Sequence, residues 1–232
     1  MAEENEDGQE KTEDPTPKRQ RDAKEKGQVP RSRELTTTLI MLAAATSLIF
    51  LGPHMADSLA AVLERSFTVE RAAAFDPGAP VRMLYDAIGE GLVAVLPFAL
   101  IMFVVTVVAP VALGGWTFSG KALAPKLEKL SPLKGLKRIF GVGGLVELAK
   151  AVGKVLIVGA VGGMVFYNEL DGFRALGGES LASGIRHASH MFFWTFMLLA
   201  ASLILIALVD VPYQIWDHTK KLRMTKQEVK DE

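Results

Sequence analysis

Residues 91–113 read GLVAVLPFALIMFVVTVVAPVAL, and none of these 23 residues carries a charge. A helix needs about 20 mostly apolar residues to cross the hydrocarbon core of a bilayer, which is roughly 30 Å thick. The stretch therefore predicts a membrane-spanning helix. Pro97 and Pro110 lie inside it and predict a kink or a locally unwound turn, which neighbouring helices can tolerate by satisfying the freed backbone groups.

Three further runs lack charged side chains, namely residues 35–51, 155–167 and 191–209. The first and last are long enough to span. The run 155–167 reaches that length only if its helix begins near Leu145 and includes Glu147, Lys150 and Lys154. The hydrophobic content is 50%. We therefore predict an all-α membrane protein with four hydrophobic helices, arranged as two hairpins that a long basic loop joins.

The basic residues alternate along the chain. Successive segments between the apolar runs carry 8, 3, 8, 2 and 5 Lys or Arg, while the whole chain balances 26 basic against 26 acidic residues. Basic segments remain on the cytoplasmic side of a membrane. We therefore expect both termini and the central loop to be cytoplasmic. We expect no signal peptide, and the absence of cysteine excludes a disulfide framework.

The polar ends divide as residues 1–34, an N-terminal arm, and residues 210–232, the start of a cytoplasmic linker. Residues 1–15 are acidic and are expected to be disordered. Thr16 and Pro17 indicate a helix start, so the basic stretch 18–26 is predicted to be a short helix that Gly27 ends. A loop over 52–90 is expected to open with Gly52 and Pro53 and to carry an amphipathic piece.

The connector between the second and third apolar runs is the candidate functional element. After Ser131, apolar residues recur at helical spacing with basic residues between them, which predicts a two-turn amphipathic helix. Its contact residues would be Leu133, Leu136, Lys137, Ile139 and Phe140. The helix could rest on anionic headgroups, or it could dock on another protein.

Other constellations are weaker. Gly159 and Gly163 are spaced for close helix packing in a membrane. Glu147, Lys150 and Lys154 share one helix face and would either reach the headgroup layer or contact a polar partner. The sequence between positions 141 and 155 departs from a phosphate-binding loop, so nucleotide binding is not expected.

Chemistry-bearing sets are sparse. His187 and His190 share a helix face without a third metal ligand, so we expect no metal site. The sequence shows no catalytic set and no ionisable residue at the centre of an apolar run. These observations argue against an enzyme and against a self-contained four-span transporter or channel.

Two stretches of the sequence are distinctive. They are EKTEDPTPKR at residues 10–19, continuing through DAKEKGQV and SREL, and DVPYQ at residues 210–214, continuing to KKLRMTKQEVKDE at residues 220–232. Both stretches resemble the FlhB/SctU family of export-switch proteins in type III secretion. The sequence of the second stretch is closer to the flagellar branch of the family than to the injectisome branch. The four-span pattern between them also fits, so the resemblance covers the whole chain.

The resemblance implies a bacterial inner-membrane protein that is a structural and regulatory part of the flagellar export apparatus, with an injectisome homologue as the alternative. It implies a membrane domain over 35–209 whose loop 114–144 contacts the export gate proteins FliP, FliQ and FliR. FlhA and exported substrates would be met by a switch domain beyond residue 232. That domain carries the family's autocleavage motif, which this sequence lacks, so no enzymatic role, cofactor or nucleic-acid partner is expected.

Overall fold

A computed structural model describes residues 11–68, 71–117 and 142–231. In these ranges the chain forms helices, and its β-structure is limited to one isolated backbone bridge. In chain order the helices are α1 (Pro17–Glu25), α2 (Arg33–Phe67), α3 (Arg71–Ala74), α4 (Ala79–Val108, followed by a 3-10 turn at Ala109–Val111), α5 (Val142–Asn168), α6 (Leu170–Leu176), α7 (Leu181–Leu222) and α8 (Lys226–Asp231).

Four helices are long and apolar enough to cross a membrane: α2, α4 with its 3-10 turn, α5 from Gly144, and α7. Their large apolar side chains are widely exposed, with Phe103 at 68%, Leu156 at 66% and Leu208 at 64%. Water is a poor solvent for such a surface. The prediction of an all-α membrane protein with four hydrophobic helices is confirmed, and α5 includes the three charged residues that its length required.

The predicted start of the 52–90 loop at Gly52 is wrong, because α2 continues through Pro53 to Phe67. Proline removes one helical hydrogen bond, but packing holds the helix together at this point. Gly52 is buried against the ring of Phe193, where an added Cβ would lie 2.9 Å from Cζ. The predicted amphipathic piece of this loop is therefore the second half of α2.

The predicted start and end of the short basic helix are confirmed. The Thr16 hydroxyl accepts a hydrogen bond from the Arg19 N–H at 3.1 Å, and Pro17 occupies the first turn of α1. Gly27 has a φ of 73°, a left-handed conformation that a side chain would disfavour. Local sequence thus sets both boundaries of α1.

The chain divides into two compact units. Unit 1 contains residues 1–37, 109–160 and 202–232, and unit 2 contains residues 38–108 and 161–201. In unit 2, Arg65 of α2 forms an ion pair with Glu90 of α4. An added Cβ at Gly162 of α5 would lie 3.6 Å from Leu199 of α7.

The loop before α4 is fixed by a carboxylate of unit 2. Asp76 accepts hydrogen bonds from the Gly78 N–H at 2.8 Å and from the guanidinium of Arg82. The Arg82 guanidinium, and then the Gly78 N–H, hold the pKa of this carboxyl below its ordinary value. Both donors favour the charged form.

Candidate functional site at the ends of the connector

A buried carboxylate organises unit 1. The Asp210 side chain, on α7, is 2% exposed, and the Lys150 ammonium of α5 lies 2.7 Å from its Oδ1. Ser32 Oγ donates to Oδ2 at 2.6 Å, and Gln214 Nε2 donates to Oδ1 at 3.2 Å. Burying a carboxylate is costly unless it is paired and hydrogen-bonded. These three partners supply that compensation.

Lys150 is the cation of the site, and its side chain is only 16% exposed. Its ammonium also contacts Glu147 Oε1 at 2.9 Å and lies 4.9 Å from the ring centroid of Tyr213. An ammonium has three donors and is attracted to an aromatic face. Lys150 therefore joins α5 to two successive turns of α7.

Ser32 brings the N-terminal arm into the same site. Its hydroxyl accepts from the Leu35 N–H at 2.9 Å while it donates to Asp210, so one side chain caps the start of α2 and contacts α7. Two residues further on, Glu34 Oε2 lies 2.7 Å from the Lys154 ammonium of α5. The first turn of a helix favours such an acidic side chain.

We call Ser32, Glu34, Lys150, Lys154 and Asp210 the charge clamp. It joins the arm, the start of α5 and the later part of α7 within unit 1. Its charges alternate in sign across the three elements. The clamp therefore attaches the end of the connector to the arm through polar contacts.

The beginning of the connector is also held by the arm. A Cβ added at Gly114 would lie 2.6 Å from the Pro30 carbonyl oxygen and 2.8 Å from Val29 Cβ. Such distances are shorter than side chains tolerate, so the close approach requires glycine. Residue 114 thus packs on arm residues 29 and 30, while Lys150 and Lys154 contact residues 32 and 34. Both described ends of the connector converge on one short segment.

The arm also pairs with the tail. Glu13 and Met224 exchange backbone hydrogen bonds of 3.0 Å in an antiparallel bridge, and Met224 is 2% exposed. Thr225 and Glu228 then form a reciprocal cap at the start of α8. Residue 13 of the acidic segment is therefore ordered against the tail. Residues 1–10 lie outside the described part of the chain.

Several predicted residues are not brought together. The five predicted gate-contacting residues, Leu133, Leu136, Lys137, Ile139 and Phe140, lie outside the described residues, and so does most of the loop 114–144. A Cβ added at Gly159 or Gly163 would meet no atom within 4 Å among the described residues. Their role in packing against another helix remains a prediction.

The other candidates have neighbours of their own. His187 Nδ1 lies 2.7 Å from Glu179 Oε1, and the His190 ring is 6.1 Å from that of Trp194. In the described ranges the structure shows no cluster of three residues suited to a metal. Lys150 and Lys154, which we expected to meet headgroups or a partner, are held instead by carboxylates of this chain.

Sequence reasoning missed the acidic half of the clamp. Asp210 is the first charged residue after the apolar run 191–209, and Glu34 directly precedes the run 35–51. Each could have been recognised as a counter-ion for Lys150 or Lys154, since charges at the end of a span usually face protein or the interface. Their pairing could not be read from the sequence.

The sequence of the chain is similar to a known protein family and to several of its members. The model of the family described as FlhB HrpN YscU SpaS matches residues 9–232. The flagellar biosynthetic protein FlhB of Escherichia coli K12 is 37% identical over the whole chain, which covers 60% of that relative. The FlhB protein of Bacillus subtilis is 33% identical, over 96% of this chain and 62% of the relative.

A secretion-system relative is also similar. The secretion system apparatus protein SsaU of Salmonella typhimurium is 30% identical over 96% of this chain and 63% of the relative. The chain thus spans about 60% of the length of the relatives that it matches. Because the match to the family covers nearly the entire sequence, the chain belongs to the FlhB HrpN YscU SpaS family.

Proposed function

We propose that the chain is a structural and regulatory component of the bacterial flagellar type III protein export apparatus. In this role it associates with the export gate and helps to control gate opening and substrate passage. Family membership supports the export role, and the higher identity to flagellar relatives, 37% against 30% for the secretion-system protein, favours the flagellar branch.

The attachment of both connector ends to the arm carries the mechanistic part of the proposal. A loop whose ends are fixed loses less conformational entropy when its middle binds a partner. The clamp therefore prepares the connector to present its predicted apolar stripe to the gate. Residues 133–140 are the proposed contact segment, with FliP, FliQ and FliR as the proposed partners.

The proposed setting is the inner membrane, with both termini and the connector in the cytoplasm. The high Lys and Arg content of the arm, the connector and the tail supports this orientation. A further cytoplasmic domain would follow residue 232 and meet FlhA and exported substrates. The membrane part positions that domain and carries out no catalytic step.

Single-cysteine cross-linking in cells tests the gate contact, and residues 1–232 contain no native cysteine that would compete with the introduced one. We expect cysteines at Leu133, Leu136 and Phe140, in the full-length protein, to cross-link to gate proteins when the apparatus is assembled. Arg138→Cys, on the opposite face of the predicted helix, is the matched control and should cross-link much less.

Cross-links from the three apolar positions to lipid alone, in assembled apparatus, would refute the docking proposal. The clamp can be tested in the same cells. Asp210→Ala should weaken the gate cross-links, because it releases the end of the connector, and it should reduce swimming in soft agar. Undiminished cross-links in that variant would show that the clamp does not position the connector.

A further inference from the structure

Unit 1 contains an open cavity of about 480 Å³ between α1, the arm, the segment after α4 and the end of α7. This volume falls within the range of about 300–1,000 Å³ that is usual for small-molecule sites. Arg21 and Lys24 of α1 line it, together with Gln20, His218, Leu113 and Leu222. Among the residues that the structure describes, the lining includes cations but no acidic side chain.

The two cations share one face of α1. Arg21 and Lys24 are three residues apart, so their side chains lie close together on the helix. Both are exposed, and neither forms an ion pair with a carboxylate in the part of the chain that the structure describes. Two neighbouring cations without a counter-ion at a concave surface favour an anionic ligand.

The cavity lies at the end of the apolar segments. Leu113, in its wall, is the last residue of the uncharged run 91–113. On α7, Tyr213 and Trp216 come shortly before His218, and such aromatic residues are typical of the membrane interface. Two to five residues of helix rise about 3–8 Å, which is within the headgroup layer.

The geometry points to an anionic phospholipid as the occupant, with its phosphodiester headgroup between Arg21 and Lys24. The guanidinium and the ammonium donate to the phosphate oxygens, while Gln20 and His218 supply further polar contacts. Basic pockets between helix ends recognise such headgroups. The inference requires only that unit 1 lies at a membrane boundary, so it is independent of the export role.

The test uses the purified chain in detergent and short-chain phosphatidylglycerol as the probe, with binding followed by tryptophan fluorescence. Each basic residue contributes about 1 kcal/mol to anionic-lipid binding, so Arg21→Gln with Lys24→Gln should weaken binding roughly 30-fold. The matched control, Lys18→Gln with Lys26→Gln, removes the same charge from α1 and its C-cap, outside the cavity lining, and should change binding less than about threefold. All four side chains are exposed, so both double variants should keep their helix content.

Short-chain phosphatidylcholine should bind far more weakly than phosphatidylglycerol, and high salt should reduce the difference. Equal losses in the two double variants would overturn the inference, because general surface charge would then explain the binding. It would also fail if inorganic phosphate alone occupied the site as tightly as the lipid. Binding of an acidic peptide in place of phosphatidylglycerol would refute it in favour of a protein ligand.

Discussion

Removing the buried carboxylate of the clamp should destabilise the protein measurably. In Asp210→Ala, Lys150 loses its contact of 2.7 Å while its side chain stays 16% exposed. Breaking a buried ion pair costs about 3–5 kcal/mol, because one charge is left without compensation. Lys150 keeps Glu147 and the ring of Tyr213, so we expect the lower end, about 3 kcal/mol.

Reversible unfolding in mixed micelles, followed by far-UV circular dichroism, measures this loss. Asp217→Ala is the matched control on the same helix, since Asp217 pairs with Lys221 at 2.5 Å in an exposed i,i+4 contact worth about 0.3–0.5 kcal/mol. A further variant, Asp210→Leu with Lys150→Met, removes both charges and should recover much of the stability. A loss below about 1 kcal/mol in Asp210→Ala would refute the reasoning, because a mostly buried ammonium that loses its buried carboxylate partner should cost more than that.

Four other substitutions test three further features of the chain. Gly114→Ala should lower the free energy of unfolding by about 1–3 kcal/mol, because its Cβ would lie 2.6 Å from a carbonyl oxygen of the arm. Gly153→Ala is the matched control: its Cβ would meet no atom within 4 Å, so helix propensity should raise the free energy of unfolding by up to about 1 kcal/mol. Thermal unfolding compares the two variants. Gly159→Leu should leave the stability of the isolated protein unchanged but reduce the amount of gate protein that co-purifies with it. Unchanged co-purification would show that Gly159 does not pack against a helix of a gate protein. The Asp76 carboxyl, whose pKa is lowered in the folded state, should stabilise its loop at neutral pH and lose that effect as pH falls below its ordinary pKa of 3.8; Asp76→Asn should abolish this acid-dependent step in hydrogen exchange.

The parts of the fold that the sequence predicted are those set by local composition or spacing. Uncharged runs predicted four spans because the thickness of a bilayer fixes a length. Thr16, Pro17 and Gly27 predicted the ends of α1, because caps act within one turn. The end of the first span was misjudged, since a buried contact with Phe193 carries α2 through Gly52 and Pro53.

The candidate site was only half predictable. Lys150 and Lys154 stood out because they interrupt an apolar helix, but their partners lie far away in the sequence. Ser32 and Asp210 are 178 positions apart, and no helical period relates them. Nothing in the sequence distinguishes Asp210 from the other acidic residues near span ends as the one that is buried.

By itself the sequence determined the all-α class, the four apolar helices and the capped basic helix of the arm, because each follows from composition or from residues within a few positions. Only the tertiary structure decided that one carboxylate would be shared by Ser32 and Lys150, and that Gly114 would pack on the same arm. These contacts form between residues that are far apart in the sequence, so they depend on how the helix ends pack in the tertiary structure. A buried charge is stabilised only when that packing brings an oppositely charged or hydrogen-bonding group next to it.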